Sequence, residues 1–166
     1  FESVSDLAYA MSYSLRRLGL WDQQVYILEQ AAIAAANLGR QADAIHFTFE
    51  SAEIHKQRGR LYEALDEFVR CEQYSSDHGD RSMAAKARMQ QGVIHYHLGK
   101  YSDASNDLWM SLELYRADSD RLGEAICLTN LGRTEKKLGN FEKAKSYFEN
   151  GLEIKKAIQD ELGTAI

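Results

Sequence analysis

The sequence predicts an all-α fold, a solenoid of stacked antiparallel helical hairpins. Ten of the eleven glycines recur with a spacing of 40 residues, and self-similarity at a fixed period indicates a repeat architecture. Proline is absent from all 166 residues, although average usage is about 5%, and this absence favours uninterrupted helices. Apolar side chains return at helical spacing within each repeat. One hairpin cannot bury its apolar stripe alone, so neighbouring hairpins are expected to stack.

The repeat is also visible when the four repeats are aligned, so that each column holds the equivalent residue of every repeat. Two of these columns hold only small residues, which would let neighbouring helices approach closely. These columns are Ser12, Ala52, Gly92 and Gly132, and Ala31, Cys71, Ser111 and Gly151. The predicted organisation is a single array with repeats at residues 1–39, 40–79, 80–119 and 120–159, and the start of a truncated fifth repeat at residues 160–166.

Each repeat is predicted to contain two helices separated by a glycine. In the fourth repeat the first helix should run from Asp120 to Leu138, and the second from Phe141 to about Ala157. Gly139 between them can adopt a left-handed conformation without steric cost, which would end the first helix and turn the chain. Aspartates begin the later repeats and are predicted to cap the first helices. They are Asp80, Asp120 and Asp160.

Composition and charge argue against several classes of protein. The formal net charge is -5, and without a continuous basic stripe this charge disfavours nucleic acid as a partner. No apolar run approaches about 18 residues, so no membrane-spanning helix is predicted. Two cysteines, Cys71 and Cys127, are too few for a disulfide scaffold and favour a reducing, cytoplasmic location. The first residue is Phe1, so the chain is interpreted as a piece of a longer protein.

Recognisable catalytic and cofactor motifs are missing from the sequence. It contains no phosphate-cradling glycine loop, no HExxH helix motif and no nucleophile elbow. His55 and His95 share a column one repeat apart, whereas His95 and His97 are two residues apart on one helix and should point to different sides. No histidine, cysteine or carboxylate set has the spacing of converging metal ligands. The sequence therefore predicts a non-enzyme without a metal or cofactor.

The fourth repeat shows the underlying pattern most completely, in Leu131, Gly132, Gly139, Phe141, Ala144, Phe148 and Gly151. This pattern resembles the tetratricopeptide repeat family, and the resemblance covers essentially the whole chain. The family's proline after the second helix is missing, and the period is longer than the usual value of about 34. In these respects the chain is similar to the arrays of STAND-ATPase sensors, spindle-orientation scaffolds and bacterial peptide-sensing regulators.

The resemblance implies a right-handed superhelix with a concave groove lined by the first helix of each repeat. Aromatic and methionine side chains there would anchor a peptide or helix of another protein. Alternatively, the same aromatics pack against neighbouring helices. The expected groove residues are Tyr9, Tyr13, Arg17, Phe49, Glu53, Lys56, Lys86, Met89, Tyr96, Arg133, Lys136 and Lys137. The same columns also hold Asp6, Arg16, His46, Gln57, Val93, His97, Ile126 and Thr129.

The resemblance implies a non-catalytic protein–protein interaction module, a sensor or scaffold segment of a larger signalling protein. Its partner would be another protein, a peptide, or another domain of the parent chain. A receptor for a small signalling molecule or short peptide is the first alternative, and a deep, closed apolar pocket would favour it. Self-assembly through uncovered array ends is the second alternative.

Charge is unevenly distributed, and residues 120–159 carry a net charge of +2. Arg133, Lys136 and Lys137 in this repeat would suit an acidic ligand. A solvated basic face is the simpler interpretation of the same residues.

Overall fold

In a computed structural model, the backbone of residues 3–163 and the side chains of residues 5–159 are described. The described residues form eight helices and no strand, which confirms the predicted all-α class. The helices are α1 (Ser3–Arg17), α2 (Trp21–Asn37), α3 (Gln41–Gln57), α4 (Leu61–Asp77), α5 (Arg81–His97), α6 (Tyr101–Ala117), α7 (Arg121–Lys137) and α8 (Phe141–Gly163). None of them combines the length and apolar character needed to span a membrane. We propose that α1–α2, α3–α4, α5–α6 and α7–α8 are the four repeats.

The turns between helices follow from the glycine register. Gly99 has a φ of 76° and Gly139 a φ of 81°, in the left-handed region that glycine enters at little cost. After α5, the amide of Lys100 donates to the carbonyl of His95 at 2.9 Å, the closure expected at such a helix end. Ser119 takes the equivalent place before α7 with a φ of 57°.

Two of the predicted aspartate caps are confirmed. The backbone amide of Met83 donates to Oδ1 of Asp80 at 2.9 Å, and that of Gly123 donates to Oδ1 of Asp120 at 2.8 Å. Each aspartate therefore satisfies an amide that has no partner within its own helix.

Replacing Asp120 with alanine should destabilise the protein by about 1 kcal/mol, because the first turn of α7 loses its side-chain cap. Thermal denaturation followed by circular dichroism would measure the change. Asp118→Ala is the control, since it removes a carboxylate from the same loop without removing a cap. Equal losses in the two variants would show that loop charge, not capping, is responsible.

The helix break predicted at Asp160 is absent, because α8 continues without interruption from Phe141 to Gly163. The residue before Asp160 is Gln159. At the equivalent places before α3, α5 and α7 stand Gly39, Gly79 and Ser119, each with positive φ. Without such a residue, nothing local ends the helix. Residues 164–166 of the expected fifth repeat lie outside the described part of the chain.

The helices form two compact units, here called unit 1 and unit 2. Unit 1 extends to His78 and contains α1 to α4, and unit 2 begins at Gly79 and contains α5 to α8. Within each unit, helices that follow one another in sequence pack together. All eight residues of the two small-residue columns are buried. A Cβ added to Gly132 would lie only 2.7 Å from the Phe148 ring, so these columns permit close helix packing.

Candidate functional site

A concave surface of unit 1 lies between α1 and α3. It encloses about 570 Å³, and Trp21 and Gln24 of α2 contribute to its lining. Several side chains expected in the groove converge here. They are Tyr9, Tyr13 and Arg16 of α1, and His46, Phe49, Glu53 and Gln57 of α3.

Two of the aromatic side chains that line this cavity also pack against neighbouring aromatic rings. The half-buried Tyr9 ring lies 4.9 Å from the Phe47 ring and 5.5 Å from the His46 ring. Burial raises the pKa of the Tyr9 hydroxyl. Phe49 meets the ring of Phe68 edge to face at 5.2 Å, whereas Tyr13 remains 64% exposed. The cavity therefore combines two rings fixed by packing with one free to contact a ligand.

Two other predicted residues of unit 1 do not line the cavity. Lys56 donates to both carboxylate oxygens of Glu53, at 2.6 and 2.8 Å, and its ammonium lies 5.7 Å from the centroid of the Phe68 ring. Arg17 is exposed on α1. Lys56 therefore pairs with Glu53, which lines the cavity, whereas Arg17 is not among the lining residues.

The groove residues predicted in unit 2 do not converge on a cavity of comparable size. Val93, Tyr96 and Arg133 line a depression of only about 10 Å³, and the Arg133 guanidinium lies 5.0 Å from the centroid of the Tyr96 ring. Met89 packs against the core of unit 2. The remaining predicted residues, Lys86, Lys136 and Lys137, are exposed and do not line this depression.

The structure also contains buried polar pairs that the sequence analysis missed. In unit 2, Nδ1 of His95 lies 2.7 Å from Oδ2 of Asp107, and Nη1 of Arg88 donates to Oδ1 at 3.2 Å. The equivalent pair one repeat earlier is His55 and Glu67. The recurrence of both histidine and acid at a spacing of 40 residues is the signal that could have identified them.

In unit 1 the pair is part of a larger cluster, which corrects the expectation that no set of metal-ligating side chains converges. Glu29, His55 and Glu67 each offer a ligand atom, and these atoms all lie within 4.8 Å of one another. Burial raises the pKa of Glu67 to about 7 and lowers the pKa of His55. Ser51 donates a hydrogen bond to Oε1 of Glu67 at 3.1 Å.

A second concave surface of unit 1 lies among α2, α3 and α4 and adjoins this cluster. It encloses about 380 Å³, and Glu29 and Glu67 contribute to its lining together with Thr48 and Ser51. Cys71 also lines it, and both Cys71 and Cys127 are buried thiols that form no disulfide. Burial raises the pKa of Cys127 to about 11, so its thiolate is not a ready nucleophile.

Comparisons with known proteins agree with the helical repeats. The Tetratricopeptide repeat family matches residues 82–157. The regulatory protein AfsR of Streptomyces griseus is 30% identical over 103 residues, which cover 62% of this chain and 11% of that protein.

Two solved structures share the fold over nearly the whole chain. The apo form of RapI has a TM-score of 0.85 at 20% identity, covering 98% of this chain and 59% of RapI. The Rap conjugation gene regulator of plasmid pLS20, solved in complex with the Phr* peptide, has a TM-score of 0.77 at 19% identity, covering 96% and 44% respectively.

Stacked hairpins with a concave, aromatic-lined surface define an α-solenoid repeat module, a class of protein-interaction module. The family match shows that residues 82–157 are similar to tetratricopeptide repeats. The fold that the chain shares with RapI extends this similarity in architecture beyond the matched residues.

Proposed function

We propose that the chain is a non-catalytic binding module that takes a peptide segment of another protein, or of its own parent chain, between α1 and α3 of unit 1. The observation that carries this proposal is the convergence of the expected groove side chains on one cavity of about 570 Å³. A cavity of this size accommodates a few peptide side chains.

Binding would depend on Tyr13, Tyr9 and Phe49 as aromatic anchors. The rings of Tyr9 and Phe49 are held by neighbouring aromatic rings, so little of their freedom remains to be lost on binding. Rigid aromatic side chains supply much of the affinity of protein interfaces. Arg16, together with the acidic residues that line the cavity, would select the charge of the partner.

We also propose that the module is a regulatory segment of a longer, cytoplasmic signalling protein. AfsR is a regulatory protein, and the matching region is 11% of its length. The Rap regulator carrying the Phr* peptide supports a peptide ligand, so a free short peptide is the second candidate. The two buried cysteines form no disulfide, which supports a reducing location.

Replacing Tyr13 with alanine should weaken peptide binding about tenfold or more, because truncation of a central aromatic anchor commonly costs over 1 kcal/mol. Peptides of twelve random residues, displayed on phage and selected on the immobilised chain, would supply the ligand. Fluorescence anisotropy with an enriched peptide would then give the dissociation constant.

Tyr62→Ala is the matched control, because Tyr62 is 66% exposed, as Tyr13 is at 64%, but does not line the cavity. We expect this variant to bind as the unmodified chain does. The proposal fails if no peptide is enriched or if the two variants bind equally. Light scattering over a range of concentrations would separately reveal self-assembly as a mass that rises with concentration.

A further inference from the structure

We propose that Glu29, His55 and Glu67 of unit 1 bind a divalent transition-metal ion of the Zn²⁺ type. The three residues come from different helices, α2, α3 and α4. A bound ion would therefore crosslink the three helices. This site is separate from the peptide cavity between α1 and α3.

The distances suit a shared cation better than a hydrogen bond. Nε2 of His55 lies 3.8 Å from Oε1 of Glu67, beyond the usual range of an N–H···O hydrogen bond. Tetrahedral coordination with bonds of about 2.1 Å separates ligand atoms by about 3.4 Å. The longest separation in the cluster is within 4.8 Å, so side-chain adjustments on the order of 1 Å would complete the geometry.

Burial gives the cluster a reason to bind a cation. Glu67 is 6% exposed and His55 is 8% exposed. Oε2 of Glu67 and Nδ1 of His55 are buried and have no hydrogen-bond partner among the described residues. Buried charges in proteins are normally paired or coordinate metals. A divalent cation would supply the missing positive charge for the Glu67 carboxylate.

In unit 2, the acid of the equivalent histidine–acid pair is in contact with an arginine. There, the guanidinium of Arg88 contacts the buried carboxylate of Asp107 at 3.2 Å. Forty residues before Arg88 stands Thr48, whose hydroxyl donates to the carbonyl of Ala44. In unit 1 the cluster instead gains a second carboxylate, Glu29, where the following repeat has Val69. The substitutions thus remove a cationic side chain and add a metal ligand.

The arginine on α4 does not contact Glu67 as Arg88 contacts Asp107 in unit 2. Arg70 lines the same cavity as Glu67, but its guanidinium pairs with Asp66 at 3.3 Å. Its positive charge acts on Glu67 only through space. His55 lies 3.8 Å from Glu67, but burial lowers the pKa of its imidazole and so favours the neutral form.

The ligand types define the class of ion. One imidazole and two carboxylates favour Zn²⁺, Mn²⁺ or a similar first-row ion, because Mg²⁺ and Ca²⁺ prefer oxygen ligands alone. Three protein ligands leave at least one coordination position open. Glu29 and Glu67 both line the cavity of about 380 Å³, so water or a small carboxylate in that cavity would complete the coordination.

Isothermal titration calorimetry with Zn²⁺, on the 166-residue chain freed of metal by EDTA, tests the proposal. We expect one saturable site per chain. We also expect affinity to fall at least about tenfold in Glu29→Gln and in His55→Gln, since each loses a ligand. Glu29 is exposed, so its variant should fold even if His55→Gln does not.

Glu149→Gln and His97→Gln are the matched controls. Glu149 occupies the same column as Glu29, three repeats later, and both Glu149 and His97 are exposed. Both variants should bind Zn²⁺ as the unmodified chain does, and so should Tyr13→Ala, which affects only the peptide cavity. NMR of the histidine side chains should show a Zn²⁺-dependent shift at His55 and none at His97. Absence of saturable binding, unchanged affinity in Glu29→Gln, or a shift at His97 without one at His55 would each overturn the proposal.

Discussion

Replacing Phe68 with alanine should lower the free energy of unfolding by about 3–5 kcal/mol, the cost of truncating a large aromatic side chain in a packed core. Phe68 is fully buried in α4, at 0% exposure. Its ring meets Phe49 edge to face and lies beneath the ammonium of Lys56. Urea denaturation followed by circular dichroism would measure the change.

Tyr62→Ala on the same helix is the control for this prediction. The Tyr62 ring is 66% exposed, so its loss should change stability by at most about 0.5 kcal/mol. Comparable losses in both variants would mean that Phe68 is not part of a packed core. Under conditions where Phe68→Ala is still folded, peptide binding should also weaken, because Phe49 loses the neighbour that orients it.

Features governed by neighbours along the chain could be predicted from the sequence. Gly99 and Gly139 take the left-handed conformation that ends a helix, and a glycine allows this wherever it stands. Asp80 and Asp120 cap the helices that follow them, because a capping side chain needs only an amide two or three residues ahead. The prediction failed at Asp160 because Gln159 precedes it, and an aspartate alone does not end the preceding helix.

The candidate site could be predicted only in part. Tyr9, Tyr13 and Phe49 meet at one cavity as their columns suggested, but Met89 packs into the core of unit 2. Arg133 covers the ring of Tyr96 and leaves little space. A column specifies which side of a helix a residue occupies. Whether that side is open depends on the neighbouring side chains, which differ between repeats.

The buried histidine–acid pairs were the hardest feature to predict, because the role of each pair depends on the residues beside it. His55 and His95 occupy one column, and Glu67 and Asp107 another, so the sequence presents two similar pairs. Arg88 contacts the acid of the pair in unit 2, whereas in unit 1 Thr48 takes the place of that arginine and Glu29 joins the cluster. Two positions, those of Thr48 and Glu29, therefore distinguish the ion pair of unit 2 from the candidate metal site that we propose in unit 1.

Replacing Asp107 with alanine should destabilise unit 2 by about 3 kcal/mol, at the lower end for breaking a buried ion pair. The carboxylate is 8% exposed and contacts both His95 and Arg88, whose side chains are 17% and 23% exposed. Removing it takes a charged acceptor away from a guanidinium and an imidazole that have little access to water. We expect a loss of stability at the lower end of this range because Arg88 keeps some contact with solvent. Denaturation in urea would measure the loss.

Two further variants separate charge from hydrogen bonding at Asp107. Asp107→Asn keeps an oxygen that can accept a hydrogen bond but removes the charge, so it should lose less stability than alanine. Asp103→Ala removes an exposed carboxylate from the first turn of the same helix and should cost about 0.5 kcal/mol through the helix dipole. If Asp107→Ala cost no more than Asp103→Ala, the buried pair would contribute nothing to stability. The histidine and acid columns would then require another explanation, and metal binding by their counterparts in unit 1 would become the first one to test.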